Sequence, residues 1–286
     1  MFDIPALPLA KWTDVAVAFM VDNFSDITRG FSRIMEVMLN GLESALLLLP
    51  PWAFILVACG VVWLLTRRFP LPLFVAIGFS LLWNVNLWKP TMSTLSLVLA
   101  ATALAVSLGV PLGILAAIYP FLRRVIMPVL DVMQTMPAFV YLIPAIPFFG
   151  MGKVAAVVAT VVFSVPPAIR LTCLGIRQVP HPLVECAEAF GSTRMQRLFK
   201  LELPLAAATI VAGVNQTVML ALSMAVIAAM IGAGGLGGEV WTAIQRLQTG
   251  KGFVAGLGIV IVAITLDRLF QAAGRKVGGR TGKEEL

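Results

Sequence analysis

Long apolar stretches alternate with short basic loops along most of this chain, and polar positions inside the stretches are few. Residues 1–26 are mixed, with Pro5, Pro8 and four aspartates. From Ile27 onward, Phe31, Ile34, Met38, Leu42, Leu46 and Leu49 recur every three or four positions, while Arg33, Glu36, Asn40 and Glu43 occupy the other face. This predicts an amphipathic helix lying in a bilayer interface, too polar to span and ended by Pro50-Pro51. A hydrocarbon core about 30 Å thick needs roughly 20 apolar helical residues. Seven segments approach that: 51–66, 70–88, 91–119, 126–149, 154–171, 205–231 and 253–273. The third is long enough to tilt or kink at Pro111, and Pro137, Pro144 and Pro147 make the fourth read as broken or partly re-entrant.

The predicted architecture is an all-α polytopic membrane protein with about seven transmembrane helices. An arm (1–50) carries the interfacial helix, two peripheral spans follow (51–90), then a core (91–273) and a basic tail (274–286). Seven spans put the termini on opposite sides. With the C-terminus inside, fourteen Lys and Arg fall inside, Arg67-Arg68 and Arg123-Arg124 among them, against seven outside. The positive-inside bias therefore predicts N-out, C-in.

Composition agrees with the membrane reading. Apolar residues make up 59% and charged residues 12%, with mean hydropathy +0.96, where a soluble domain carries about 25% charge. The net charge of +7 sits in short groups between apolar runs, so it fits contact with anionic lipid rather than with nucleic acid. Cys59, Cys173, Cys186 and the single His181 form no metal-ligand, disulfide or nucleophile pattern. No catalytic residue and no metal site is expected. The N-terminus lacks the layout of a cleaved signal peptide.

One polar insert is too long for a simple hairpin. Residues 172–204 separate the fifth and sixth segments on the predicted cytoplasmic side, and loops beyond about 12–15 residues usually have a task. Leu183–Phe190 can form one short helix and Thr193–Leu201 a second. Gly191 suits a left-handed helix end, Ser192 or Thr193 a cap, and Pro204 the first turn of the next span. Glu185 and Glu188 lie one turn apart; Arg194, Arg197 and Lys200 supply basic groups on the second helix.

Glu185-Cys186-Ala187, then Gly191, Leu201, Leu203 and Pro204 at their spacing, resemble the EAA-x3-G-x9-I-x-LP signature of ATP-binding-cassette importer permeases. Cys186 replaces an alanine and Leu201 the isoleucine. Residues 131–154, 165–180, 212–237 and 258–268 look like the glycine betaine/proline betaine subgroup, which includes relatives for choline and histidine; the likeness covers roughly 91–270. It implies a type I importer fold in which the loop docks into a cytoplasmic ATPase. Two permease chains, two ATPases and an external or periplasmic binding protein would make the transporter, in the inner membrane. ATP and Mg²⁺ would bind the partner, and this chain has no GxxxxGK[ST] of its own. A secondary transporter driven by an ion gradient is the rival reading, although no convincing internal repeat is visible. A membrane scaffold without a pathway is the other.

Other polar residues carry two readings each. Asn215, Gln216, Thr217 and Ser223 either line a translocation pathway or bond neighbouring helices. Asp131, with Gln134 and Thr135, is an intramembrane candidate or an interfacial group paired with Arg123 or Arg124. Of Trp52, Trp63, Trp83, Trp88 and Trp241, most fall near predicted span ends, and they read as interface anchors rather than a cation cage. The segment 232–239 (GAGGLGGE) reads as close packing or an outer gate, not a nucleotide loop.

Overall fold

A computed structural model describes residues 8–67 and 69–281. Residues 1–7 of the arm, Arg68 of the predicted basic pair and 282–286 of the tail, Lys283 included, lie outside the described residues. Among the described residues every regular element is helical: α1 (Leu9–Leu48), α2 (Pro51–Thr66), α3 (Pro70–Asn84), α4 (Trp88–Ile118), α5 (Pro120–Thr135), α6 (Leu142–Phe149), α7 (Lys153–Arg177), α8 (His181–Ala189), α9 (Arg194–Arg197), α10 (Leu203–Ala228), α11 (Gly235–Gln245) and α12 (Thr249–Thr281).

Helix α1 begins well before the predicted start at Ile27. After Pro8 no proline or glycine interrupts the chain until Gly30, and Trp12, Val15 and Phe19 continue the apolar stripe at helical spacing. Its C-terminal part is fixed to the core. Met35 and Leu39 are buried, Glu43 forms an ion pair with Lys153 at the start of α7, and the same carboxylate lies 3.5 Å from Ser93 Oγ in α4.

Four helical stretches are long and apolar enough to cross a membrane alone: α4, α7, Arg194–Ile231 and Thr249–Ala272. Two bent pairs raise the number to six if each counts as one span. In the first, α1 and α2 meet at 96°; in the second, α5 and the helix through α6 meet at 112°. The second bend is the break predicted from the prolines. It falls at Met136-Pro137, where an extended Met136 ends α5 and Pro137 lacks an amide hydrogen to continue it. Helices α2 and α3 have 16 and 15 residues, about 24 and 22 Å at 1.5 Å per residue. Each is shorter than the hydrocarbon core. Pro111 does not interrupt α4, nor do Pro166 and Pro167 interrupt α7.

The centre of the bundle is α7, clasped between α4 and α10 through small residues. Gly109 and Gly113, four apart on α4, face Ala168 and Thr172, four apart on α7. A β-carbon added at Gly109 would stand 2.7 Å from Ala168 Cβ, and one at Gly113 would stand 2.6 Å from Thr172 Cβ. On the side facing α10, Gly175 meets Ala206 and Thr209, and Gly213 of α10 approaches Leu171 and the Pro167 carbonyl. Lipid tails are as apolar as leucine, so helices in a bilayer gain little from burying leucine. Small residues bring backbones close and supply the packing instead.

Trp88 departs from the interfacial expectation. It is buried and packs edge-on against Phe54 at 5.4 Å and Phe79 at 6.4 Å between ring centres, tying α2 and α3 to the start of α4. Trp52, Trp63 and Trp83 are exposed, as anchors would be.

The glycine-rich segment is packed in part. Gly232, Gly234 and Gly235 take positive φ, turning the chain into α11, a helix the apolar pattern did not announce. The amide of Leu236 donates to Thr94 Oγ1 at 2.8 Å, and Leu236 and Gly237 are buried. Close packing holds at Leu236 and Gly237, while Gly232 and Gly234 are exposed.

Candidate functional site

The polar insert folds as the residues require. After α7 ends at Arg177, Pro180 precedes α8, with His181 and Pro182 in its first turn. Gly191 closes the helix with φ +77°, and its amide donates to the Glu188 carbonyl at 2.9 Å. Thr193 then caps α9 with a reciprocal box: its hydroxyl accepts from the Gln196 amide, and the Gln196 side chain accepts from the Thr193 amide. Two orphan donors are satisfied at one turn. Helix α9 passes into a π-helical turn at Leu198–Glu202 and then directly into α10, with Pro204 in its first turn.

Ion pairs brace the insert. Glu188 pairs with Arg197, joining the two short helices, and Arg197 Nε lies 2.7 Å from Glu202 Oε1 without the alignment of a hydrogen bond. Arg197 is thus held between two carboxylates, and of these Glu202 is buried. Glu185 lies 3.0 Å from His181 Nδ1. Glu185, Cys186, Glu188 and Gly191 are exposed, whereas Ala187, Leu201, Leu203 and Pro204 are half-buried. The motif residues therefore divide into an outward set on α8 and its turn and an inward set at the root of α10. Phe190, Met195 and Phe199 of the same insert are exposed as well. Helical spacing alone did not single these three out.

The four polar residues of α10 do not share a face. Gln216 and Ser223 are exposed, on a stripe with Ala208, Ala212 and Met219. Thr217 is buried and donates to the Gly213 carbonyl at 3.0 Å. Asn215 donates to Asp267 Oδ1 of α12 at 2.8 Å, and Gln271 Nε2 donates to the same carboxylate at 2.8 and 2.9 Å. Asp267 was not singled out from the sequence, although an acid six residues inside the end of the predicted span 253–273 is a signal in its own right. We expect Asp267→Leu and Asn215→Leu in a double-mutant cycle on thermal unfolding in detergent to show a coupling of about 1 kcal/mol, within the range measured for interhelical hydrogen bonds in membranes. Strictly additive losses would mean that the pair contributes nothing.

Asp131 is not paired with Arg123 or Arg124. Its partner is Arg170 of α7, at 2.6 Å. About two helical turns after the arginines, Asp131 pairs across to α7 rather than back along α5, so an interhelical partner was invisible to local spacing.

The family profile described as binding-protein-dependent transport system inner membrane component matches residues 109–279. The glycine betaine transport system permease protein OpuAB of Bacillus subtilis is 48% identical over 268 residues, covering 94% of this chain and 95% of that protein. The glycine betaine/carnitine transport permease protein GbuB of Listeria monocytogenes is 48% identical over 283 residues, covering 96% and 99%. The glycine betaine/proline betaine permease protein ProW of Escherichia coli is 45% identical over 275 residues, covering 94% of this chain and 76% of that one. Among solved structures, an inward-facing form of the MetNI methionine ABC transporter aligns with TM-score 0.57 at 24% identity, over 66% of this chain and 92% of that one. The fold is that of an ABC importer permease of type I, carried by a multi-pass inner-membrane protein. With the profile spanning more than half of the chain, and relatives matched nearly end to end, the chain belongs to the family of binding-protein-dependent transport system inner membrane components.

Proposed function

We propose that this chain is the membrane-spanning subunit of an ATP-driven importer for glycine betaine or a related small quaternary amine. A second copy would complete the pathway, two ATPase subunits would drive it, and an external binding protein would deliver the solute. The insert 172–204 is the docking element. Glu185, Cys186, Glu188 and Gly191 present its outward surface, Ala187 is half-buried on the same helix, and Leu201, Leu203 and Pro204 root the insert in α10. ATP and Mg²⁺ belong to the ATPase partner. The chain crosses the membrane seven times, N-out and C-in, with α2 and α3 tilted little or the bilayer thinned around them.

The observation that carries this reading is the braced insert: two short helices closed by Gly191, locked by Glu188 and Arg197, and continuous with the long helix Arg194–Ile231. A solvated loop needs no such bracing. On α10, Gln216 and Ser223 are the pathway residues, since their side chains are exposed, while Asn215 and Thr217 serve helix packing. Membership of this family weighs against an ion-gradient carrier. The solute range follows the relatives, whose names include glycine betaine, proline betaine, carnitine, choline and trimethylamine N-oxide.

Proteoliposomes holding this chain, its co-encoded ATPase and its binding protein test the proposal with a panel of betaine, carnitine, choline, proline betaine and trimethylamine N-oxide. Uptake of at least one solute should require both ATP and the binding protein. Uptake that ignores ATP and follows an imposed ion gradient would overturn it.

A further inference from the structure

At the end of the bundle remote from the insert, two glycine turns face each other. The first, Gly150-Met151-Gly152, joins α6 to α7, and its glycines take φ of +74° and +131°. The second, 232–235, runs from the end of α10 into α11, with φ of +87° at Gly232, +73° at Gly234 and +68° at Gly235. A β-carbon added at Gly232 would lie 3.9 Å from the Gly152 amide nitrogen, so the turns meet backbone to backbone. Among the described residues, five of the six glycines with positive φ gather here, the sixth being Gly191. Glycine moves between backbone regions at little steric cost, and hinges are commonly built from such residues. This end can therefore rearrange, whereas the close approaches at Gly113 and Gly175 lock α4, α7 and α10 nearer the insert.

Side chains from elsewhere hold the two turns. Helix α1 grips the chain on both sides of the first turn. Just before it, Phe31 packs against Phe149 with ring centres 5.7 Å apart; just after it, Glu43 forms an ion pair with Lys153. The same carboxylate lies 3.5 Å from Ser93 Oγ near the head of α4. The next residue, Thr94, accepts the Leu236 amide at 2.8 Å and so fastens the end of the second turn. Glu43 thus stands where α1, α4 and α7 meet, one residue from the contact that holds α11. The side chains of Glu43 and Lys153 are 20% and 33% exposed. Water reaches them, so the pair can part without leaving a fully buried charge unpaired, the costly case for an ion pair.

We infer that Glu43 is a positioning residue: with Lys153 it latches the two glycine turns together and keeps this end of the bundle closed until the transport cycle opens it. The inference rests on the function proposed above, under which this end faces the binding protein. The arm helix is the fixed frame of the latch. Its Glu43 lies before the matched family region 109–279 and Lys153 within it, so the latch ties the arm to that region.

Hydrogen exchange on the full-length chain, and ATP hydrolysis by the assembled transporter without binding protein, test the latch in the same variants. The amides of Leu236 and Ala156 are the reporters, since one donates to Thr94 Oγ1 and the other to the Gly152 carbonyl at 3.2 Å. In Glu43→Gln and in Lys153→Met, peptides holding these amides should exchange several-fold faster, while insert peptides 181–202 keep the parent rate. Basal hydrolysis should rise several-fold, because the latched end would open without the binding protein. Glu43→Lys combined with Lys153→Glu should restore both readings, a rescue that a general loss of stability would not show. Parent-like exchange in both single variants would overturn the latch. Faster exchange with unchanged basal hydrolysis would reduce the pair to a structural brace and overturn its part in the cycle. A parent chain that binds no ATPase would count against the proposed function alone, and exchange would still decide the latch.

Discussion

Gly113→Val should leave little folded protein in the membrane fraction, the largest loss expected from any single substitution in the bundle. A β-carbon at Gly113 would lie 2.6 Å from Thr172 Cβ and 2.7 Å from the Ile169 carbonyl oxygen. Neither obstacle is the far end of a flexible side chain. One is a β-carbon and the other is backbone, so α4 and α7 must separate along their tightest contact, and Gly109 four residues earlier loses its fit against Ala168 as well. Overpacking of this kind costs about 3 kcal/mol or more, a large share of a total stability near 5–15 kcal/mol. Gly60 in α2 is the matched control. Nothing lies within 4 Å of an added β-carbon there, so Gly60→Ala should be neutral or gain up to about 1 kcal/mol from helix propensity. Thermal unfolding of both variants in one detergent decides the matter. Equal stability of Gly113→Val and the parent protein would show that α4 and α7 do not meet in this register.

Gly191→Val should fail for a different reason and in a different assay. The space around Gly191 is open, so no atom is struck. The barrier is conformational: φ is +77°, a region that a β-branched residue enters only at a cost of about 1–3 kcal/mol. The turn between α8 and α9 would relax, and the pairing of Glu188 with Arg197 that depends on it would be lost. We expect normal insertion and solute-protein docking, with ATP-dependent uptake down at least about tenfold, the equivalent of about 1.4 kcal/mol. Gly191→Asn should retain more activity, because asparagine tolerates the left-handed conformation. Unchanged uptake by Gly191→Val would remove the turn from the coupling proposal.

The local features were legible because their causes are local. Gly191, the Thr193 cap, Pro204 at the head of α10 and the break before Pro137 each follow from one residue's own stereochemistry. Long apolar runs announced α4, α7, α10 and α12 for the same reason. What stayed hidden depends on residues far apart in the chain. Asp131 finds Arg170 39 positions away, Asn215 finds Asp267 52 away, and Trp88 is buried only because Phe54 and Phe79 arrive beside it. The start of α1 was missed because aspartates along its polar face masked a helical stripe. The α11 helix was missed because its glycine-rich beginning resembles a loop.

One consequence of the uninterrupted helix from Arg194 to Ile231 concerns leverage. Its 38 residues amount to about 57 Å at 1.5 Å per residue, with Asn215 and its grip on Asp267 close to the midpoint. A beam pivoted there and tilted by about 5° carries each tip about 2.5 Å, by the same helical dimensions. The two tips move in opposite directions. A push on the tip at Arg197 would therefore reach Met230 at the other end as a somewhat smaller displacement of reversed sense, with Asp267 as the fulcrum.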